Sequence, residues 1–248
     1  MNPITIIYTE LIYRPLLNGL VFIYSFLPYQ DLGLAILTLT FIVRLALHPT
    51  VVQTIRSQRA ISTLQPKLKE IQARFKDNKE EQARQTMALY KSEGVHPLSG
   101  CLPILIQLPI LIGLYRVFLE GIKLRDPALL YSFMPSVTAF NPVSFGVFDL
   151  TGRSVVLALG AGLSQFLQAY FLPVPAPAGK DAGSDFNRML RWQTTYFFPI
   201  IIAGISWSLP SALAFYWTVF NLFAIVQQLW IQKRLSHDWN SRTSKPNP

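Results

Sequence analysis

One arginine, Arg44, stands inside the apolar run Leu32 to Pro49. A run of that length is a candidate transmembrane helix. A guanidinium keeps its proton in a protein. Near mid-bilayer it costs from about 3 to more than 10 kcal/mol, depending on the reference state. Such a residue faces protein or water and marks a functional site by default. Snorkelling from a helix end is the plainer reading. It fits less well here, because Leu45 to Leu47 and Val51-Val52 continue the apolar segment.

The rest of the chain supports a membrane setting. It is 51% hydrophobic and only 14% charged, against about 25% charged in soluble domains. The pattern predicts an all-α polytopic membrane protein with five transmembrane helices, an N-terminal interfacial helix and a cytoplasmic helical hairpin. Spans are expected at about 32–54, 98–120, 154–172, 194–209 and 211–232. The expected units are a 1–30 N-terminal extracytoplasmic interfacial segment, a 31–55 first span, the 56–96 hairpin, 97–232 with the remaining spans, and a 233–248 short basic tail.

Residues 11–29 are apolar, bounded by prolines and short for a span, so a helix lying on the outer surface is expected there. In 56–96, Ile61, Leu64, Leu68, Ile71 and Phe75 repeat at helical spacing, and Lys76 to Lys79 makes a turn. Ala83, Met87 and Tyr90 then continue the stripe on a second arm. Pro66 should kink or break the first arm. Leu209-Pro210-Ser211 is so short a link that the last two spans must be antiparallel neighbours.

Charge sets the orientation. Sixteen Lys/Arg lie in 56–96, 173–193 and the tail, against Arg14, Lys123, Arg125 and Arg153 on the alternate side. The positive-inside rule places the hairpin and C-terminus in the cytoplasm and the N-terminus outside. The net charge of +9 is thereby explained by topology, and no direct nucleic-acid function is expected.

Polar residues recur inside the expected spans. Thr40, Arg44 and His48 form one stripe on the first. Gln107 stands in the second. Ser164, Gln165 and Gln168 share a face of the third, and Trp217, Asn221 and Gln228 a face of the fifth. Any one amide is more often glue between helices. Taken with a permanent cation, the set points to a shared hydrated cavity. His48 alone is more often a satisfied helix-end residue.

Enzyme chemistry is not legible. There is no His-Glu-x-x-His, Gly-x-Ser-x-Gly, phosphate loop or Cys/His metal spacing. No metal, cofactor or catalytic residue is expected. Cys101 is the only cysteine, which excludes an internal disulfide framework. No secretory signal is visible at the start.

Three separated segments carry a family resemblance. They are Val43-Arg44-Leu45 with Pro49; Leu64-Gln65-Pro66 with Lys69-Glu70-Ile71-Gln72; and Tyr90-Lys91-Ser92-Glu93-Gly94-Val95-His96-Pro97-Leu98-Ser99-Gly100-Cys101-Leu102-Pro103 on to Ile110. Pro210 to Gln228 in the last span adds a fourth. Over about 30–235 the chain resembles the YidC family of membrane protein insertases, in a short bacterial-type form related to the mitochondrial and chloroplast insertases. As it stands it would lack the large extracytoplasmic domain of Gram-negative members and the long ribosome-binding tail of mitochondrial ones.

The resemblance implies a multi-pass protein of the bacterial plasma (inner) membrane. It implies a positively charged hydrated groove, open to cytoplasm and lipid, in which Arg44 receives the polar flank of a nascent membrane protein. The apolar segment would then pass along the third and fifth helices. Partners implied are nascent membrane proteins and lipids, with the ribosome, targeting factors and the general translocon as further candidates. Two other classes compete: a small-solute (anion) transporter or channel with Arg44 as its site, and an assembly scaffold for a membrane complex. Transporters of many folds carry two-half repeats, and this chain shows none.

The topology is checked with a single cysteine at position 79. An impermeant thiol reagent applied to intact cells should leave it unlabelled, and labelling from outside would reverse the orientation.

Overall fold

The computed structural model describes residues 3–94, 102–120, 127–135, 137, 139–172, 189 and 191–243. His96, Cys101 and most of the 173–191 loop lie outside them. The fold is mostly helical, with one two-stranded hairpin.

α1 (Pro3–Tyr8) continues through a π-turn (Thr9–Tyr13) into α2 (Arg14–Phe26). Pro15 lacks the N–H that a continuous helix needs there. The wider π register, with Arg14 N–H donating to Thr9, carries the chain past it. The same device precedes Pro199, where a π-turn (Gln193–Phe197) leads into α9 (Phe198–Ser208).

The expected 11–29 helix is corrected at both ends. It starts at Pro3, because Ile4, Ile6, Ile7 and Tyr8 extend the apolar stretch, and stops at Phe26 before a tight turn with Tyr29 at φ 64°. Thr5–Phe26 is long and apolar enough to cross a membrane. One of its faces (Tyr13, Leu17, Leu20, Val21, Tyr24) is buried in the core.

The single first span expected over 31–55 is instead two helices. α3 (Leu32–Ala46) and α4 (His48–Thr63) meet at Leu47 with a bend of 59°. Pro49 has no N–H for the carbonyl of Leu45, so the ladder breaks one turn earlier. Pro66 acts as expected: Leu64 separates α4 from α5 (Gln65–Arg74).

α6 (Lys79–Ser92) starts at Asn78, whose side chain accepts from Glu81 N–H. It packs on Ile61, Leu64 and Leu68 through Tyr90 and Leu89. Gln82 lies on the same face and donates to the Gln72 carbonyl at 3.2 Å. Met87 is 59% exposed and Ala83 is exposed too. The packed stripe is therefore rotated from the expected Ala83, Met87 and Tyr90. The small core that faces α6 is met better by 82, 86, 89 and 90 at helical spacing.

Among the described residues the remaining helices are α7 (Leu102–Glu120), α8 (Val155–Phe171), α9 and α10 (Ser211–Thr243). α10 continues as one helix past 232 into the expected tail. It touches α3, α4, α7, α8 and α9. Ser211–Leu235 is long and apolar enough to cross a membrane, and α3 with α4 would make a third, bent span. α8 has 17 residues, about 26 Å at 1.5 Å per residue, somewhat less than the ~30 Å hydrocarbon core.

The segment 127–152 ties one end of the bundle. Its carbonyl at Leu129 accepts from Asn18 at 2.9 Å, and Asn18 Oδ1 accepts from Tyr131 N–H at 2.8 Å. β1 (Val143–Ser144) and β2 (Phe148–Asp149) flank a turn at Phe145-Gly146, both at positive φ. Ser144 Oγ accepts from Gly33 N–H at 2.7 Å, and Asp31 caps Leu34 N–H at 3.0 Å. The carbonyls of Gly152 and Leu150 accept from Ser211 and Ala212 N–H. Orphan donors at the start of both α3 (Gly33) and α10 (Ser211 and Ala212) thus find their acceptors in this one segment. The Thr151 hydroxyl, with the N–H groups of Thr151 and Gly152, holds the Asp149 carboxyl below the usual carboxylate range.

Close approach holds α8 against α9. A Cβ at Gly162 would lie 2.8 Å from Ala203 Cβ and 3.0 Å from the Pro199 carbonyl. Small residues let helices approach this closely where lipid supplies little hydrophobic drive. Gly162→Val should push α9 away and destabilise the fold by roughly 1–3 kcal/mol. The thermal midpoint of the purified protein in detergent reads this directly.

Candidate functional site

Arg44 lies on the last turn of α3 and faces α10. Its Nη1 donates to Gln227 Oε1 at 2.7 Å. Its guanidinium sits over the Phe220 ring, 4.0 Å from the centroid, a cation–π geometry. Its Nε is buried with no acceptor among the described residues. A guanidinium has five N–H donors, and one of them is bonded to a side chain among the described residues.

Gln227 also reaches the other side of the bend. Its Nε2 is 3.0 Å from His48 Nδ1, and the His48 ring lies 5.8 Å from that of Trp230. Phe41 meets Phe223 nearby, with centroids 5.6 Å apart. Below this, Arg59 Nη2 donates to the Gln232 carbonyl at 3.1 Å. The cation therefore sits in a seam between α3, α4 and α10, walled mainly by aromatic rings.

The other expected site residues fall in separate places. Asn221, 1% exposed, donates to Ser164 Oγ at 3.1 Å and Gln165 Oε1 at 3.3 Å. Those bonds bind α10 to α8 directly. Gln107 Nε2 donates to the Tyr216 hydroxyl at 2.6 Å, joining α7 to α10. Thr40 is buried and returns its hydroxyl to the Ile36 carbonyl of its own helix. Trp217 packs against the core. Gln168 makes no side-chain hydrogen bond among the described residues, and its carbonyl accepts from Leu172 N–H.

The stripes are thus brought together in part. Arg44 and His48 share one partner; Ser164, Gln165 and Asn221 form another cluster; Thr40 joins neither. Gln227 is the residue that sequence reasoning overlooks. It follows Phe220 by seven residues and Tyr216 by eleven, which puts all three on one face of α10. The Trp217–Asn221–Gln228 stripe lies one residue further round. Arg116 is a second cation within an apolar helix, over the Tyr13 ring at 5.0 Å.

Residues 22–238 match the family model described as 60Kd inner membrane protein. Two relatives named membrane protein insertase YidC come from Francisella tularensis, subsp. novicida strain U112 and subsp. holarctica strain LVS. Each is 36% identical over 204 residues, covering 82% of this chain and 32% of the relative. The chain therefore spans about a third of the length of these curated relatives. A crystal structure of an active YidC insertase, with its first transmembrane domain resolved, superposes with a TM-score of 0.58. It is 25% identical and covers 86% of this chain and 45% of that one.

The two polar clusters should respond differently to substitution. Asn221→Leu removes the α8–α10 hydrogen bonds and should cost roughly 0.5–2 kcal/mol, read as a lower thermal midpoint in detergent. Arg44→Ala removes a charge held by one side-chain hydrogen bond among the described residues and should lower the midpoint less than Asn221→Leu.

Proposed function

The chain belongs to the 60Kd inner membrane protein (YidC) family, and from that premise we propose that it is a membrane protein insertase and membrane chaperone. The observation that carries the reading is Arg44: a permanent charge at an aromatic seam, with Nε lacking an acceptor among the described residues.

In this reading the protein crosses the bacterial inner membrane five times. The spans are α3 with the start of α4, then α7, α8, α9 and α10. The α5–α6 hairpin and the C-terminus lie in the cytoplasm, and the 127–152 segment closes the outer end. Its ties to both α3 and α10 support that closure.

The hydrophilic, often acidic, flank of a nascent membrane protein is held at Arg44. Desolvating an acidic group is costly unless it is paired and hydrogen-bonded, and the guanidinium supplies both charge and donors. Meanwhile the client's apolar segment passes along α8 and α10 into lipid. Leu159, Leu163, Leu222 and Val226 are exposed on those helices and offer an apolar path. Burial of the segment drives the step at roughly −0.3 to −0.6 kcal/mol per strongly apolar residue. No nucleotide need be hydrolysed. The bonds of Asn221 to Ser164 and Gln165 favour passage over the α8–α10 surface, since they hold the two helices together.

Arg44→Ala, at equal protein level, should impair insertion of single-span clients with acidic translocated tails. Arg44→Lys, which keeps the charge and gives up the fork geometry, should retain more function than Arg44→Ala if charge is what the site uses. Wild-type insertion of every client by Arg44→Ala would refute the reading. For the path, photo-crosslinkers at Gln168 and Trp217 should capture a stalled client's apolar segment more strongly than one at Ile200, which is 71% exposed on α9. Equal capture at all three would mean that the client is merely nearby in lipid.

A further inference from the structure

We propose that Gln227 is the positioning residue for Arg44, and that its amide, turned by Arg44, fixes the tautomer of the His48 ring that braces it. The inference deepens the reading of Arg44 as the receiving cation and rests on it for its functional part.

A glutamine amide accepts only at its oxygen and donates only at its nitrogen. Arginine donates only, so the end facing Arg44 must be Oε1, as the 2.7 Å contact has it. That leaves Nε2 pointing at His48 Nδ1, 3.0 Å away. The ring atom there must then accept, so the His48 proton sits on Nε2. The reversed amide would set donor against donor at Arg44. The three side chains therefore have one self-consistent arrangement.

The geometry ties this relay to the bend in the chain. Arg44 belongs to α3 and His48 to α4, on either side of the 59° break. Gln227 on α10 bonds both. Phe220, two turns earlier on α10, lies under the same guanidinium. One helix thus supplies a ring beneath the cation and a neutral carbonyl beside it. A neutral partner orients Arg44 without cancelling its charge, whereas a carboxylate at 227 would cancel it.

The tautomer is measurable without any client. In protein carrying ¹⁵N-labelled histidine in lipid nanodiscs, His48 is identified by the signal lost in His48→Asn. Its Nδ1 should be unprotonated and its Nε2 protonated when the ring is neutral. Gln227→Leu should shift His48 towards a mixture of tautomers. A wild-type His48 with its proton on Nδ1, or a tautomer unmoved by Gln227→Leu, overturns the proposal.

Insertion supplies the functional arm. Gln227→Glu should lower insertion of acid-flanked clients by roughly fivefold, the scale on which pairing a charge shifts an equilibrium, without lowering the thermal midpoint. His48→Asn, which keeps an acceptor where Nδ1 was, should insert better than His48→Leu; the reverse order would count against the relay. Arg44→Ala run alongside separates the two readings. If it inserts normally, the receiving role of Arg44 fails, while the tautomer result still decides whether His48 and Gln227 position it.

Discussion

A guanidinium that keeps its charge in an apolar helix has to be given partners, and the arrangement of α3, α4 and α10 follows from that need. Phe220 covers one face of Arg44, and Gln227 accepts from one of its nitrogens. Neither neutralises it. A buried carboxylate would have stabilised the cation more and removed its positive field. Among the described residues the seam instead keeps a charge that is oriented but not compensated.

The price of such a site is met by packing elsewhere. α10 touches five other helices, so it fixes where the Arg44 partners stand. Asn221 binds it to α8 and Tyr216 binds it to α7 through Gln107. At one end, the 127–152 segment supplies acceptors to the first turns of α3 and α10 and ties Asn18 of α2. Unsatisfied backbone donors are expensive where water is scarce, so this segment is structural although it contains almost no regular structure.

Proline shapes the helices by taking away single hydrogen bonds. At Pro15 and Pro199 the helix absorbs the loss by widening to a π-turn and continues. At Pro49 and Pro66 it breaks. The break at Pro49 matters most for the site, because it lets Arg44 and His48 belong to different helices yet share Gln227. The break at Pro66 starts the small α5–α6 unit, whose core among the described residues is Leu64, Leu68 and Tyr90 with Leu89, closed by Ile61 of α4. A core that small opens easily.

Composition and apolar periodicity were enough to read a helical membrane protein and its helix breaks at Pro66 and Pro210, and the lone Arg44 marked a charge that needs partners. The motifs around Arg44, Pro66, Gln107 and Pro210 were enough to read the family. These features are local: they rest on which residues recur at helical spacing and on one charge that hydrocarbon cannot hold. The partner of that charge was not legible. Gln227 and Gln228 are neighbours in sequence, about 100° apart on the helix, and nothing local says which one faces α3. The bend at Leu47, the rotated face of α6 and the capping by 127–152 were hidden for the same reason. Each is decided by how helices far apart in sequence meet, because an amide, a ring or an orphan N–H is satisfied only by the group that the packed fold brings to it.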